Sequence, residues 1–303
     1  MQLPALRSLP PAILLLCGVG GGVSALGAVG VGVEAVCIEP AELLMQPEEV
    51  APAAWNGPPL RIALIADLHV GSPYVDLASI RTLVARTNDQ HPDLVLLLGD
   101  YANDVLGGEP VPVASYAPLL GELEAPLGVF AVLGNHDWWS RAGGIREAFG
   151  AEGIPVLENT SRLLWAPGGG FWLVGVGDST TLHAGMAGAI RALPQDGLPV
   201  LAMTHNPEVF DDMPSRVALL VAGHNHGGQV ALPWIGSPLL LSYPRGVYEA
   251  RGQSLVVTSG VGTSFLPLRL GVPPEVMILT VRPVERVAGS WSDSLLWAVL
   301  GVH

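Results

Sequence analysis

Three short hydrophobic runs, far apart in this chain, each end abruptly in side chains that bind metals. The ends read Asp67-Leu68-His69, Gly99-Asp100 and Gly134-Asn135-His136-Asp137. Two later clusters, Thr204-His205-Asn206-Pro207 and Gly223-His224-Asn225-His226-Gly227-Gly228, follow the same rule. A short apolar run bounded by turn residues reads as a buried strand. In open α/β sheets, ligands bind beyond the carboxyl ends of such strands. The donors gathered there are carboxylates, imidazoles and one amide, the ligand set of hard-to-borderline divalent cations. A pair of such cations hydrolyses phosphate esters.

The segments between these ends fit that placement. Residues 60–66 form an apolar run ending at Asp67. Leu77, Ile80, Leu83, Val84 and Thr87 then fall on one face at helical spacing. Residues 93–98 and 129–133 predict two more strands, ending at Gly99-Asp100 and Gly134-Asn135. Strand–helix–strand alternation with parallel connections implies an α/β sheet. Further strands are predicted over 171–176, 199–204, 217–222, 254–258 and 276–281. No internal repeat is present.

At 303 residues the chain has room for one large domain or two ordinary ones, and half of it is apolar. Fourteen basic residues stand against 27 acidic ones, a net charge of −13. That sign argues against nucleic acid as a partner, because duplex binding draws its affinity from Lys and Arg neutralising phosphates. The two cysteines, Cys17 and Cys37, have no CxxC spacing and make no disulfide framework. Cys17 follows Leu16, where a lipidated cysteine normally follows a small residue.

No charged residue occurs between Arg7 and Glu34. The run from Pro11 to Val33 is long enough for a membrane span, which needs about 20 apolar residues. A cleaved signal peptide is the competing reading, with Val23-Ser24-Ala25 as its cleavage site, although the run exceeds the usual ~7–15 residue signal core. As an anchor with Arg7 in the cytoplasm, the run would put the large domain across the membrane. The expected division is an anchor or signal segment over 1–33, a Pro-rich connector with room for one edge strand over 34–59, the catalytic domain over 60–282 and a tail over 283–303.

Five of the eight histidines fall in the clusters, at 69, 136, 205, 224 and 226. A lone histidine is more often a hydrogen-bonded structural residue than a ligand, and five beside glycines at strand ends are hard to explain that way. Asp-x-His arises by chance, and Gly-Asp after a strand is often a turn. Gly-Asn-His-Asp is more specific, and Gly-His-Asn-His-Gly-Gly more so, since the glycines let the backbone turn sharply while two imidazoles diverge.

In this order the motifs resemble those of the calcineurin-like metallophosphoesterase superfamily, from about Leu60 to Arg282. More narrowly they resemble its YaeI/YkuE-type branch, through Glu39-Pro40, His205-Asn206-Pro207, the glutamine closing the second cluster (Gln229), Ser259-Gly260-Val261-Gly262-Thr263 through Arg269, and Pro273-Pro274-Glu275. Asn225 stands where the branch usually has Thr. The resemblance implies a four-layer α/β/β/α sandwich. It implies that Asp67, His69 and His226 hold one metal, that Asn135, His205 and His224 hold a second, and that Asp100 bridges them. It places His136 toward the substrate, stabilising or protonating the leaving oxygen, with Asp137 orienting its ring.

The chemistry asks for such a set. Two cations lower the pKa of a bridging water and give hydroxide for in-line attack at neutral pH. Asn135 adds an oxygen ligand without adding negative charge. The mixed nitrogen and oxygen donors suit Mn, Fe or Zn better than Ca. Substrate contacts are suggested by Trp138 and Trp139, which either wall a pocket for a base, sugar or acyl chain or close the core beneath their loop. Arg141 and Arg269 are candidates for a second phosphate, or ordinary scattered charges. The apolar stretches 236–241 and 291–300 either lie on a membrane or pack in the core.

The expected protein is therefore a membrane-associated metallophosphoesterase with two divalent ions. It would act on a phosphodiester, pyrophosphate or phosphomonoester bond in a small or lipid-linked molecule. The branch it resembles makes UDP-2,3-diacylglucosamine, a lipid A precursor, the concrete candidate, which requires a cytoplasmic active site and conflicts with the orientation read from Arg7. A general phosphodiesterase is the alternative. A non-catalytic membrane scaffold of the same fold is disfavoured by the intact ligand set.

Overall fold

A computed structural model of the protein describes residues 28–103, 105–140, 142–232, 236 and 241–284. Several expectations lie outside the described residues: most of the apolar run 11–33, Cys17, Arg141, most of the 236–241 stretch, and the tail beyond 284 with its apolar stretch 291–300. Among the described residues, no helix is long and apolar enough to cross a membrane.

Among the described residues, eleven strands form two mixed sheets. The first joins β1 (Leu44–Val50), β2 (Leu60–Ile65), β3 (Leu94–Leu97), β4 (Val129–Ala131) and β11 (Glu275–Val281) in the order β1-β11-β2-β3-β4. Strands β2, β3 and β4 run parallel, while β11 pairs antiparallel to β2 and parallel to β1. The second joins β5 (Thr160–Ala166), β6 (Gly169–Gly175), β7 (Val200–Met203), β8 (Val217–Ala222), β9 (Gly246–Ala250) and β10 (Gln253–Val257) in the order β5-β6-β7-β8-β10-β9. Its centre is parallel, and both edge strands are antiparallel.

Side chains alternate across a strand, and β2 shows the consequence. Ile62 and Leu64 enter a core shared with Leu173, Leu201, Met203, Leu219 and Val256 of the second sheet. Ala63 and Ile65 enter a different core with Ile80, Leu83, Tyr116, Leu120 and Phe149, from helices α1 (Leu77–Asn88), α2 (Val113–Leu120) and α3 (Ala142–Ala151). A third core covers the outer face of the second sheet beneath α4 (Met186–Arg191). The layers are thus helix, sheet, sheet, helix. Asp76 starts α1, its carboxylate accepting the amide of Ser79 at 2.8 Å.

The connector region carries more than the expected edge strand. The Glu39 carboxylate accepts the backbone amides of Gly271 (2.7 Å) and Val272 (2.5 Å), tying the segment before β1 to the loop before β11.

Candidate metal centre

The motif residues follow the ends of β2, β3, β4, β7 and β8, and local backbone geometry turns them inward. Asp67, His69, Asp100, His224 and His226 all have positive φ, between 43° and 74°. Such a conformation is uncommon for any residue with a Cβ and concentrates where structure imposes it for function. Ladder-like bonds hold these turns: the amide of Asp67 donates to the Gly99 carbonyl (2.9 Å) and that of His69 to the Asp100 carbonyl (3.0 Å). Gly134 is required by close approach, since a methyl group there would come within 2.1 Å of Asp100 Oδ1.

Two triads result. Ligand atoms of Asp67, His69 and His226 lie within 4.8 Å of one another, as do those of Asp100, His205 and His224. Asp100 stands between them, its Oδ2 3.0 Å from His205 Nε2 in one triad and 3.9 Å from His69 Nε2 in the other. Asn135 lines the same cavity as Asp100, His224 and His226. Imidazole orientation is set from behind. His69 Nδ1 faces the Ala102 carbonyl at 3.0 Å and His205 Nδ1 the Leu98 carbonyl at 2.8 Å. A carbonyl only accepts, so each Nδ1 carries the proton and each Nε2 is left as the inward donor atom.

These residues fit a pair of divalent cations on two counts. Asn135 Oδ1 is buried and has no hydrogen-bond partner among the described residues. Ring nitrogens of His69 and His226 face each other at 3.4 Å, and those of His205 and His224 at 3.1 Å. That is the arrangement of donors converging on shared cations.

The chain's own electrostatics point the same way. Burial pushes the Asp67 carboxyl up to about 7, Asp100 adding repulsion while His205 opposes. Burial also resists ionisation of Asp100, but His205, His69 and His136 around it hold its carboxyl well below the ordinary range. For His205, burial works against the proton, yet Asp100, with Asp67 and Asp178, lifts the imidazole to about 10. Burial and the His205 charge depress His224 to about 4. Burial and His69 hold His226 well below its ordinary value. The centre favours positive charge beside Asp100 and keeps two imidazoles neutral, ready to coordinate.

A family comparison matches residues 60–228 to the calcineurin-like phosphoesterases. This chain belongs to the calcineurin-like phosphoesterase family. It is 36% identical to Phosphodiesterase YaeI of Escherichia coli over 74% of this chain and 83% of that one. It is 28% identical to the uncharacterized metallophosphoesterase YkuE of Bacillus subtilis over 76% and 81%. It is 26% identical to a Danio rerio transmembrane protein with metallophosphoesterase domain, over 78% of this chain and 56% of that one. As a calcineurin-like phosphoesterase, the chain is a metal-dependent phosphoric ester hydrolase using two divalent ions.

The remaining expected site residues distribute unevenly over this phosphoesterase. His136 is buried on the cavity wall, its Nε2 3.8 Å from Asp100 Oδ2. Asp137 holds the backbone around the site. Its Oδ2 accepts the amides of Asp100 (2.8 Å) and Gly134 (2.9 Å), and its Oδ1 those of Tyr101 (2.8 Å) and Ala102 (3.0 Å). It fixes the turn that presents Asp100.

Arg269 is not among the residues that line the cavity. It is fully buried, donating from Nε to the Gly262 carbonyl (3.0 Å) and from its terminal nitrogens to those of Val272 (3.0 Å), Ser259 (2.8 Å) and Gly260 (3.2 Å). The two tryptophans separate. Trp139 is exposed, lines the cavity and meets His136 edge-on at 4.9 Å. Trp138 turns inward against the helical core, stacked on His183 at 3.5 Å with the Arg146 guanidinium 4.6 Å from its ring.

Two residues escaped the sequence reading. Asp178 is fully buried, its Oδ2 taking the Thr181 amide (2.7 Å) and hydroxyl (2.8 Å), and its charge supports that of His205. The signal existed, since the β6 run also ends in Gly177-Asp178. Phe265, on the cavity wall, had no such signal.

Proposed function

We propose that this chain is a membrane-associated phosphodiesterase acting on a small or lipid-linked phosphate ester. The single observation that carries the phosphodiesterase reading is Asp100, which belongs to one triad, reaches toward His69 of the other, and lines a cavity of about 300 Å³. Asp67, His69 and His226 would hold one cation and Asn135, His205 and His224 the other, with Asp100 shared. When bound, such cations supply the Lewis acidity that neutralises phosphate and makes hydroxide available at neutral pH. Mn, Fe and Zn suit the donors.

The protein's own groups then have defined tasks. His136 faces the cavity with Trp139 packed on its edge, and would stabilise or protonate the departing oxygen. Trp139 and Phe265 form an apolar wall against the leaving group. Asp137, through four amides, keeps Asp100 from shifting as charge builds.

Membrane association is supported by the charge-free run before Glu34, and a relative carries "transmembrane" in its name. The lone Arg7 favours an extracytoplasmic domain; hydrolysis of UDP-2,3-diacylglucosamine would need the opposite side. A general phosphodiesterase is the second reading, favoured by the name of the E. coli relative. The test is hydrolysis of bis(p-nitrophenyl) phosphate by chelated and Mn-reloaded protein. Turnover restored by Mn in the wild type and lost in Asp100→Asn is expected. Metal-loaded protein without turnover sinks the enzyme reading and leaves a scaffold.

A further inference from the structure

We propose that the mouth of the metal-site cavity is a membrane-docking face, whose exposed apolar side chains lie against the headgroup–acyl boundary of a phospholipid bilayer. A membrane-borne phosphate ester then reaches the metals without leaving the interface. This deepens the membrane-linked reading above and rests on it.

The rim is the first observation. Trp139 and Phe265, 63% and 74% exposed, form part of the cavity wall. The amide of Leu106 donates to the Phe265 carbonyl at 3.1 Å, and Leu106 itself is 68% exposed. Leu266 follows at 52%, and Leu182, at 91%, comes two residues after the cavity-lining Thr180. A single exposed leucine needs no explanation. Two exposed aromatic rings on the wall of one catalytic cavity, with three exposed leucines on the loops that carry its lining residues Phe265 and Thr180, make apolar surface of the kind that marks an interaction site.

Backbone strain is the second. Phe265 and Leu182 have φ of 59° and 64°. For large side chains this region is strained. In water the strain presents apolar surface to solvent with no return. Against lipid, the same surface is removed from water, which is favourable.

The third observation says what covers the patch. The segment from residue 28 to Ile38 exposes Val29, Val31, Val33, Val36 and Ile38. It is fastened to the loop that bears Phe265 and Leu266. The Arg269 amide donates to the Ala35 carbonyl at 2.9 Å. The Tyr74 hydroxyl contacts the carbonyls of both Val36 and Pro267, and the Glu39 carboxylate takes the amides of Gly271 and Val272. Leu266 and Arg269 are three residues apart, a span of at most roughly 11 Å. The charge-free stretch of 8–33 thus joins the domain at the rim itself. Wherever that stretch enters a bilayer, the rim is brought to its surface. A net charge of −13 gives no attraction to anionic lipid, so the contact is apolar and zwitterionic lipid suffices.

The experiment uses the full chain with Cys17→Ser and Cys37→Ser, carrying one bimane-labelled cysteine at Leu106, Leu266 or Asp89. Asp89 follows α1, beyond the amino end of β3 and so away from the metals. The protein is bound to phosphatidylcholine vesicles with or without brominated acyl chains. Bromolipid is expected to quench the label at 106 and 266 and to spare it at 89. Protein that sediments with vesicles while 266 is quenched no more than 89 overturns the docking face alone. So does emission at 266 that follows protein concentration and not lipid, which would mean a second copy covers the patch. Failure to sediment at all sinks the membrane-linked reading with it. A second variant, Leu106→Asp with Leu266→Asp, should hydrolyse dissolved bis(p-nitrophenyl) phosphate at the wild-type rate. It should lose at least about tenfold on a vesicle-borne p-nitrophenyl phosphodiester of dioleoylglycerol. Equal rates on the vesicle substrate, or equal loss on both, overturn the proposal.

Discussion

His205 Nε2 lies 3.0 Å from Asp100 Oδ2, and both groups are buried. Without metal they form an ion pair whose cation is the His205 imidazolium. The His205 pKa is raised to about 10. Its contribution to stability is therefore fully present below the ordinary histidine pKa of about 6.5 and is lost as pH rises through about 10. Asp67, raised to about 7, adds in the same direction, because ionising it in the folded state costs more than in the unfolded chain from about pH 4 upward. Chelated protein should therefore lose melting temperature steadily between pH 6 and 10. Metal-loaded protein should not, since cations replace the protons. Calorimetric titration of Mn at pH 8 in two buffers of different ionisation enthalpy should show proton release. A chelated protein whose melting temperature rises over that range would contradict the pairing.

Asp137 gives a sharper test, because two roles compete for it. If it held the His136 ring, Asp137→Asn would alter the pH–rate profile and leave metal affinity alone. The four amide bonds predict the reverse. An asparagine has one acceptor oxygen, so two amides lose their partner, at about 1–3 kcal/mol each for a buried unsatisfied group. The turn bearing Asp100 loosens. Mn affinity should fall by roughly 10–100-fold, as for loss of other outer-shell supports, while the pH–rate profile of the Mn-saturated variant keeps its shape.

What sequence revealed, and what it hid, divides along physical lines. Parallel strands buried on both faces read as unbroken apolar runs, and β2, β3, β7 and β8 were legible for that reason. The edge strands β5 and β9 alternate exposed with half-buried residues and carry no such run. Ligand types and their strand-end positions were also legible. Direction was not: Asp137 and Arg269 have the right chemistry for a catalytic site but spend it on amides and carbonyls. The positive φ values at five metal-site positions left no trace in residue type, since Asp and His occupy places where glycine would be unstrained.

The two neighbouring tryptophans should respond oppositely to truncation. Trp139→Ala removes cavity wall and little else. It should raise KM for an aromatic diester by about 0.5–1.5 kcal/mol, roughly two- to tenfold, without lowering the melting temperature. Trp138→Ala removes a ring packed between His183, Arg146 and the helical core, and should destabilise by about 3 kcal/mol with KM unchanged. Denaturant melts and steady-state kinetics on both variants check the pair; a KM effect at 138 and none at 139 would reverse the assignment.

Arg269 is the case where charge and function part company. Burial lowers its guanidinium to about 10, against support from Asp67, Glu275 and Glu39, so it remains charged at neutral pH. Its donors fasten the carbonyls of Ser259, Gly260, Gly262 and Val272. That clamp closes a loop whose Gly262 amide bonds the Asp67 carbonyl at 2.7 Å. Lysine keeps the charge but brings three donors on a shorter reach, leaving at least one buried carbonyl unpaired. Arg269→Lys should therefore destabilise by about 1–3 kcal/mol and weaken metal retention through Asp67. KM for bis(p-nitrophenyl) phosphate, measured with saturating Mn at a temperature where the variant is folded, should stay at the wild-type value. A raised KM with unchanged stability would return Arg269 to the substrate.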